Sequence, residues 1–168
     1  MAGFYIDEKE IIGKIKYGEF HINNLVKILE WALNKYKPQI IDMIIENPDI
    51  SYNNIVPNQL VQLVQNDDIE RFKKIISFMD LYNLESWSSD KLITAICYDN
   101  KIDFLNLIID IPNLNFSFVI KKTFYMGYYE IISLLLQHRD EIRNDEKTYN
   151  KYAFILRAMK LKEIKEKM

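Results

Sequence analysis

The stretch FVIKKTFYMGYYEIISLLLQH, residues 118–138, contains two apolar runs separated by a glycine. Gly127 is one of only four glycines in the 168-residue chain, and glycine most easily adopts the left-handed backbone conformation of a tight turn. Glu130 follows three residues later, where a carboxylate stabilises the first turn of a helix. The stretch therefore predicts two short helices joined by a tight turn at Gly127.

The same pattern occurs at two earlier places in the chain. The segments DDIERFKKIIS (67–77) and NKIDFLNLIID (100–110) align with GYYEIISLLLQ (127–137) on their apolar residues, and the second spacing is shorter than the first. Their first residues, Asp67 and Asn100, also tolerate a left-handed conformation, and an acid again follows three residues later. An apolar stretch long enough for one helix precedes each turn, at 59–65, 91–98 and 118–125.

A helix pair with such a turn, repeated at the spacing that separates Asp67 from Asn100, resembles the ankyrin repeat. The connections ENPDISYNN (46–54) and DIPNLNFS (110–117) resemble the extended fingers between ankyrin repeats, and a weaker copy, PQIIDMIIEN (38–47), precedes the first good one. No copy has the threonine-proline-leucine-histidine opening, and the short last spacing predicts a shortened finger. A tetratricopeptide-type solenoid is the alternative, although it needs no left-handed residue between its helices.

The two ends of the chain also show helical patterns. We expect helices over 7–16 and 20–36, with Pro38 in the first turn of the next helix, and a C-terminal helix within 146–168 whose apolar residues cover the last repeat. The fold class predicted is all-α: an ankyrin-like helical solenoid of about four helix-turn-helix repeats with N- and C-terminal capping helices. The single domain 1–168 would comprise a cap (1–23), repeats at 24–51, 52–84, 85–115 and 116–142, and a capping helix (143–168).

The composition indicates the class of protein and its compartment. A net charge of −2 does not favour a nucleic-acid binder, and the single cysteine, Cys97, suits a reducing compartment. We see no signal peptide and no apolar run of membrane-spanning length, so we expect a cytoplasmic protein without membrane contact. Frequent Ile, Asn, Lys and Tyr are typical of A/T-rich genomes such as those of giant viruses; a viral protein would act in the host cytoplasm.

Residues that commonly carry catalysis are few and far apart. His21 and His138 are separated by over a hundred residues, which disfavours a shared metal or catalytic site in a repeat protein. We interpret His138 as the end of a helix and Cys97 as a small buried side chain. Four scattered glycines do not form a phosphate loop. We therefore expect no enzyme activity, no cofactor and no metal.

The resemblance implies binding through the fingers and the concave face of the first helices. On that alignment Gln65, Tyr98 and Tyr125 are equivalent and should form a line, with Gln59 and Ala95 on the same face; the fingers would add Tyr52, Asn53, Asn54, Tyr82 and Phe116. The residues expected to contact a partner are Gln62, Gln65, Asn66, Trp87, Tyr98, Asp99, Lys122, Tyr125 and Met126.

The predicted function is therefore a non-enzymatic protein-protein interaction module, a monomer that binds a protein partner and neither nucleic acid nor membrane. It could serve a virus or parasite by engaging a host protein. The alternative is a structural or assembly protein that associates with itself. The C-terminal lysines at 160, 162, 165 and 167 are read as a solvated helix face, with a phosphate-binding or partner-docking tail as the other interpretation.

Overall fold

The described part of the chain is helical. The computed structural model describes residues 7–47, 50, 52, 55, 57–79, 90–111, 114–139, 142, 149–154 and 156–157. Within these residues the backbone forms helices and turns, without a β-strand. The prediction of an all-α fold is confirmed.

The helices are short and begin and end close to the predicted positions. A 3₁₀ turn, Pro57–Leu60, leads into the fourth helix, and residues 149–154 are also helical. The α-helices named here, in chain order, are α1 (Glu8–Lys16), α2 (Ile22–Asn34), α3 (Pro38–Ile45), α4 (Val61–Gln65), α5 (Ile69–Phe78), α6 (Asp90–Tyr98), α7 (Ile102–Ile108), α8 (Ile120–Tyr125) and α9 (Tyr129–His138).

The chain divides into two compact units, residues 1–84 and 85–168. In the first unit α2 packs on α3 and α4 on α5, while α2 also contacts α4 and α3 contacts α5. The second unit repeats this order: α6 packs on α7 and α8 on α9, with further contacts of α6 to α8 and α7 to α9. Within each unit, like helices of consecutive pairs therefore lie side by side. The buried faces carry aliphatic residues, such as Leu29, Ile41, Ile75, Ile96, Ile108 and Leu135.

A left-handed residue joins the two helices of every pair. Asp67, Asn100 and Gly127 have φ values of 59°, 56° and 79°, as the sequence predicts. Tyr36, between α2 and α3, has φ 47° and was not predicted, because tyrosine rarely adopts this conformation. In each turn the N–H of the next residue donates to the carbonyl five residues earlier, which closes the helix end. These bonds are Lys37 to Ala32 (2.9 Å), Asp68 to Leu63 (2.8 Å), Lys101 to Ile96 (2.9 Å) and Tyr128 to Thr123 (3.2 Å).

The helix starts also follow the sequence. The predicted acids Glu70, Asp103 and Glu130 lie in the first turns of α5, α7 and α9, where they face unpaired backbone N–H groups. Pro38 lies at the start of α3, where its missing N–H leaves no hydrogen bond unmade. Local sequence therefore accounts for where each second helix begins.

The described residues of two connections, within 47–55 and 111–119, have the same internal pattern when residue 47 is aligned with residue 111. Residues 47–55 link α3 to the 3₁₀ turn, and residues 111–119 link α7 to α8. In both, the fourth, sixth and ninth residues are buried. Both also carry the same pair of backbone hydrogen bonds, Ile50 to Asn47 (3.4 Å) with Ile55 to Tyr52 (2.9 Å), and Leu114 to Ile111 (3.3 Å) with Val119 to Phe116 (3.2 Å).

Two expectations about these connections are wrong. Tyr52 and Phe116, expected to project toward a partner, are only 5% and 0% exposed, because their rings complete the apolar core. The finger before α8 is also not shortened relative to residues 47–55. The shorter spacing comes from the helices: α7 has 7 residues and α8 has 6, against 10 in α5 and 9 in α6.

Among the described helices, none is long and apolar enough to cross a bilayer.

Candidate functional site

Five of the predicted contact residues come together in the second unit. Tyr98 is the last residue of α6 and Asp99 follows it, while Lys122 and Tyr125 belong to α8 and Met126 follows that helix. The ammonium of Lys122 lies 4.1 Å from the centre of the Tyr98 ring, a cation-π contact between consecutive helix pairs. We call these five residues the α6–α8 surface.

The α6–α8 surface is open to solvent on its α8 side. Tyr125 is 72% exposed and Met126 39% exposed, unusual values for side chains of this size. Asp99 and Lys122 are exposed, and Tyr98 is half-buried under the lysine. Ala95, expected on the same face, is instead buried at 9%, because the stacking of α6 against α8 covers it. The exposed part of this face therefore begins at Tyr98.

An aromatic cluster supports Tyr125 from below. The half-buried ring of Phe124 lies 6.1 Å from Tyr125, 5.7 Å from Tyr129 and 5.1 Å from Tyr152. Tyr152 belongs to the helical residues 149–154 and is buried, while a capping helix over 143–168 stays a prediction. Burial, and then the nearby Tyr125, raise the pKa of the Tyr152 phenol. Tyr125 therefore packs on the ring of Phe124, which the rings of Tyr129 and Tyr152 also contact.

The predicted residues of the first unit are polar and pair with one another. Gln62 donates from Nε2 to Oε1 of Gln65 at 2.8 Å, and Asn66 donates from Nδ2 to the carbonyl of Gln62 at 2.8 Å. Gln65 and Asn66 remain exposed, and the alignment of Gln65 with the two tyrosines stays a prediction. Outside the described residues lie Asn53, Asn54, Tyr82 and Trp87.

A charged network that local sequence did not reveal crosses the first unit. Arg71 donates to both oxygens of Asp42 at 2.7 and 2.6 Å and to Asp68 at 2.6 Å. The hydroxyl of Tyr36 donates to Asp68 at 3.2 Å. The hydrogen bonds to Asp42, against a smaller opposing effect of burial, raise the pKa of Arg71. The network ties the unusual left-handed tyrosine to the start of α5 and fixes the two turns relative to each other.

Near this network the first unit has two open grooves. One, of about 550 Å³, is lined by Asp42, Arg71 and side chains of α5; the other, of about 410 Å³, runs beside Tyr52 and Phe78. Their lysines are matched by acids: Lys73 lies 3.3 Å from Glu70, and Lys74 lies 3.6 Å from Glu46. The grooves therefore offer a nearly neutral surface to a ligand.

In the second unit, Arg139 satisfies three backbone carbonyls inside the core. Its guanidinium donates to the carbonyls of Ile109 at 2.9 Å and Ile111 at 2.8 Å, and also to that of Leu114. It lies 5.0 Å from the centre of the Phe116 ring and is buried. An arginine directly after an apolar helix was the available sequence signal, but its partners are distant along the chain.

The residues with nucleophilic or acid-base potential occupy structural positions. Cys97 is fully buried in α6, and burial raises the pKa of its thiol to about 12, so it stays protonated at neutral pH. His138 ends α9, with Nδ1 3.0 Å from an oxygen of Asp110. Both sequence interpretations are confirmed. Throughout the described ranges, no three His, Cys, Asp or Glu residues converge as metal ligands would.

Comparison with known proteins adds no family to this picture: no family model, no curated protein and no solved structure matches the chain.

Proposed function

We propose that this chain is a non-enzymatic protein-interaction module, built as a diverged ankyrin-like array of about four helix pairs. The proposed array is supported by the recurring left-handed turns and by the side-by-side contacts of like helices within each unit. Within a unit, the first helices of consecutive pairs would share one face. Composition supports action in the cytoplasm, in that of a host cell if the protein is viral.

One observation supports the binding role most directly: Tyr125 is 72% exposed and rests on packed aromatic rings, beside Met126 and Lys122. Tyrosine contributes large contact area at low conformational cost, and tyrosine is enriched among residues whose loss weakens interfaces most. The cation-π contact with Tyr98 restrains Lys122 in advance, which lowers the entropy lost on binding. Lys122 and Tyr125 of the α6–α8 surface are thus held in position before a partner binds.

Affinity capture with matched variants tests this function. The tagged full chain and its Tyr125→Ala variant would be compared by quantitative mass spectrometry in the cells that make the protein. Tyr17→Ala is the control, because Tyr17 is an equally exposed tyrosine of the first unit. We expect a partner that the wild type and Tyr17→Ala retain, and that Tyr125→Ala binds about tenfold more weakly. Equal retention by all three proteins would contradict the use of this surface.

Self-association is the second candidate function. Phe154 is as exposed as Tyr125, although both side chains are large and apolar, and such residues can serve contacts between copies. Sedimentation over a range of concentrations separates the two functions. We expect a constant monomer mass; a mass that rises with concentration and returns to that of the monomer in Phe154→Ala would support assembly instead.

A further inference from the structure

Two lysines of the second unit rest on tyrosine rings instead of on acids. Lys122 lies 4.1 Å from the centre of the Tyr98 ring, and Lys151 lies 5.4 Å from that of Tyr152. Neither forms an ion pair with any described residue. In the first unit, ion pairs engage four of the eight lysines: Lys14, Lys37, Lys73 and Lys74. These two ammonium groups of the second unit therefore keep their capacity to bind an anion.

The two ammonium groups border one aromatic surface. From Lys151 the contacts run through the rings of Tyr152 and Phe124 to Tyr125. Lys122 stands three residues before Tyr125 on α8, which places both on the same side of the helix. The exposed Tyr125 is thus connected to Lys122 by helical spacing and to Lys151 through two ring contacts.

The distribution of charge along the chain agrees with this local picture. The second unit contains 13 lysines and arginines against 12 acids, whereas the first contains 9 against 12. The excess of acid in the whole chain therefore comes from the first unit. Positive charge near Tyr125 is a local property and does not follow from overall composition.

From this arrangement we infer that the partner presents an acidic segment to the α6–α8 surface. An apolar side chain of that segment packs on Tyr125 and Met126, while its carboxylates pair with Lys122 and Lys151. This inference rests on the proposed function and adds the chemistry of the partner. Charge pairs of this kind accelerate association and set the register of the bound chain.

Asp99 sets the direction of the bound segment. It is exposed and directly follows Tyr98. A carboxylate bound beside Asp99 would be repelled, since like charges in contact oppose binding. The acidic positions of the partner therefore lie toward Tyr125 and Lys151, and the segment needs no acid where it passes Tyr98.

Peptide display tests the inference on the full chain. A random library of short peptides would be selected for binding to the wild type and, separately, for binding to Lys122→Glu. The binding of the enriched peptides would then be measured by fluorescence anisotropy. Lys91→Glu is the control, because it makes the same charge change on the opposite, exposed end of α6, about 10 Å along the helix. All proteins would be compared by circular dichroism first.

We expect enrichment of peptides that combine Asp or Glu with a large apolar residue. Their affinity should fall about tenfold in Lys122→Glu and in Tyr125→Ala, and weaken as salt rises, while Lys91→Glu stays within about twofold. Peptides that need Tyr125 but show no acidic preference would overturn the inference and leave the proposed function standing. If no peptide depends on Tyr125, both are overturned.

Two further outcomes would assign the surface to another occupant. A random-sequence RNA of similar length that binds the wild type and not Lys122→Glu would overturn the protein partner in favour of nucleic acid. A dimer in sedimentation that Tyr125→Ala dissociates would overturn it in favour of a second copy of this chain. Monomeric protein with Lys122-dependent binding of acidic peptides, and no binding of the RNA, is the result that supports the inference.

Discussion

The connection at 47–55 in the first unit and the one at 111–119 in the second share a backbone pattern but differ in chemistry. Residue 52 is tyrosine, and its equivalent in the second connection is Phe116. Both rings are buried at the same point of the connection. Phenylalanine has no hydroxyl to donate, so the second unit must satisfy its buried carbonyls in another way.

The residue that donates this hydrogen bond lies in a different element in each unit. In the first unit the Tyr52 hydroxyl donates to the carbonyl of Ile45 at 3.1 Å; in the second, Arg139 donates to the equivalent carbonyl of Ile109 at 2.9 Å. The residue equivalent to Arg139 in the first unit is Met79, which is also buried. The two copies therefore share the need to satisfy one buried carbonyl, while the residue that satisfies it differs.

The largest effect should follow from removing the arginine. Arg139→Met gives the second unit the residue of the first and removes the guanidinium donor from the carbonyls of Ile109, Ile111 and Leu114, of which only that of Ile111 also accepts from a described backbone N–H, that of Leu114. We expect a loss of about 3 kcal/mol in the free energy of unfolding, because buried unsatisfied acceptors keep their full desolvation cost. Urea unfolding followed by circular dichroism measures it.

Arg157→Met is the control for this change, since Arg157 is exposed in the same unit and its loss should stay within about 0.5 kcal/mol. Hydrogen exchange should locate the effect of Arg139→Met in α7 and α9. A loss no larger than that of the control would contradict a structural role of Arg139.

The turns of consecutive helix pairs offer a second comparison, with a smaller effect. Gly127 has φ 79°, and a Cβ atom there would meet only Cε2 of Tyr129 at an ordinary 3.8 Å. The cost of a side chain is therefore that of the backbone alone. We expect Gly127→Val to lose about 1–2 kcal/mol in the free energy of unfolding, and Gly127→Asn clearly less, because Asn100 adopts the same conformation. Equal losses for valine and asparagine in urea unfolding would contradict this account.

Sequence anticipated the parts of the fold that depend on neighbouring residues. The turns at Asp67, Asn100 and Gly127 followed from residue type, whereas Tyr36 did not, because its conformation depends on contacts such as that of its hydroxyl with Asp68. Arg139 was missed for the same reason: its partners are carbonyls distant in sequence.

In the candidate site, too, the sequence predicted some side-chain positions correctly and others wrongly. The repeat alignment placed Lys122 and Tyr125 on one face, and both side chains are exposed. The expectation of exposed rings at Tyr52 and Phe116 came from the finger resemblance and failed. The alignment of NPDISYNNI (47–55) with IPNLNFSFV (111–119) was available in the sequence, and its shared apolar spacing would have indicated burial.

Removing only the hydroxyl of the first unit should cost less than removing the arginine of the second. Tyr52→Phe leaves the ring and its stacking on Phe78, whose centre lies 5.0 Å away, and deletes the hydrogen bonds to Ile45 (3.1 Å) and Ile44 (3.5 Å). We expect a loss of about 1 kcal/mol in the free energy of unfolding, the usual worth of one neutral hydrogen bond. An unchanged urea midpoint would show that the Ile45 carbonyl finds another donor, and the comparison between the units would fail.

The smallest expected effect comes from replacing the arginine donor of the second unit by a tyrosine hydroxyl. This exchange is also the most direct test that the two connections are equivalent. In the Arg139→Met background, Phe116→Tyr should recover about 0.5 kcal/mol, because the new hydroxyl can reach the Ile109 carbonyl as Tyr52 reaches that of Ile45. In the wild-type background the same Phe116→Tyr change should destabilise, since Phe116 is fully buried and the guanidinium already occupies that carbonyl. A double-mutant cycle in urea measures this reversal of sign. If Phe116→Tyr destabilises both backgrounds equally, the two connections share a backbone pattern without sharing the place of the donor.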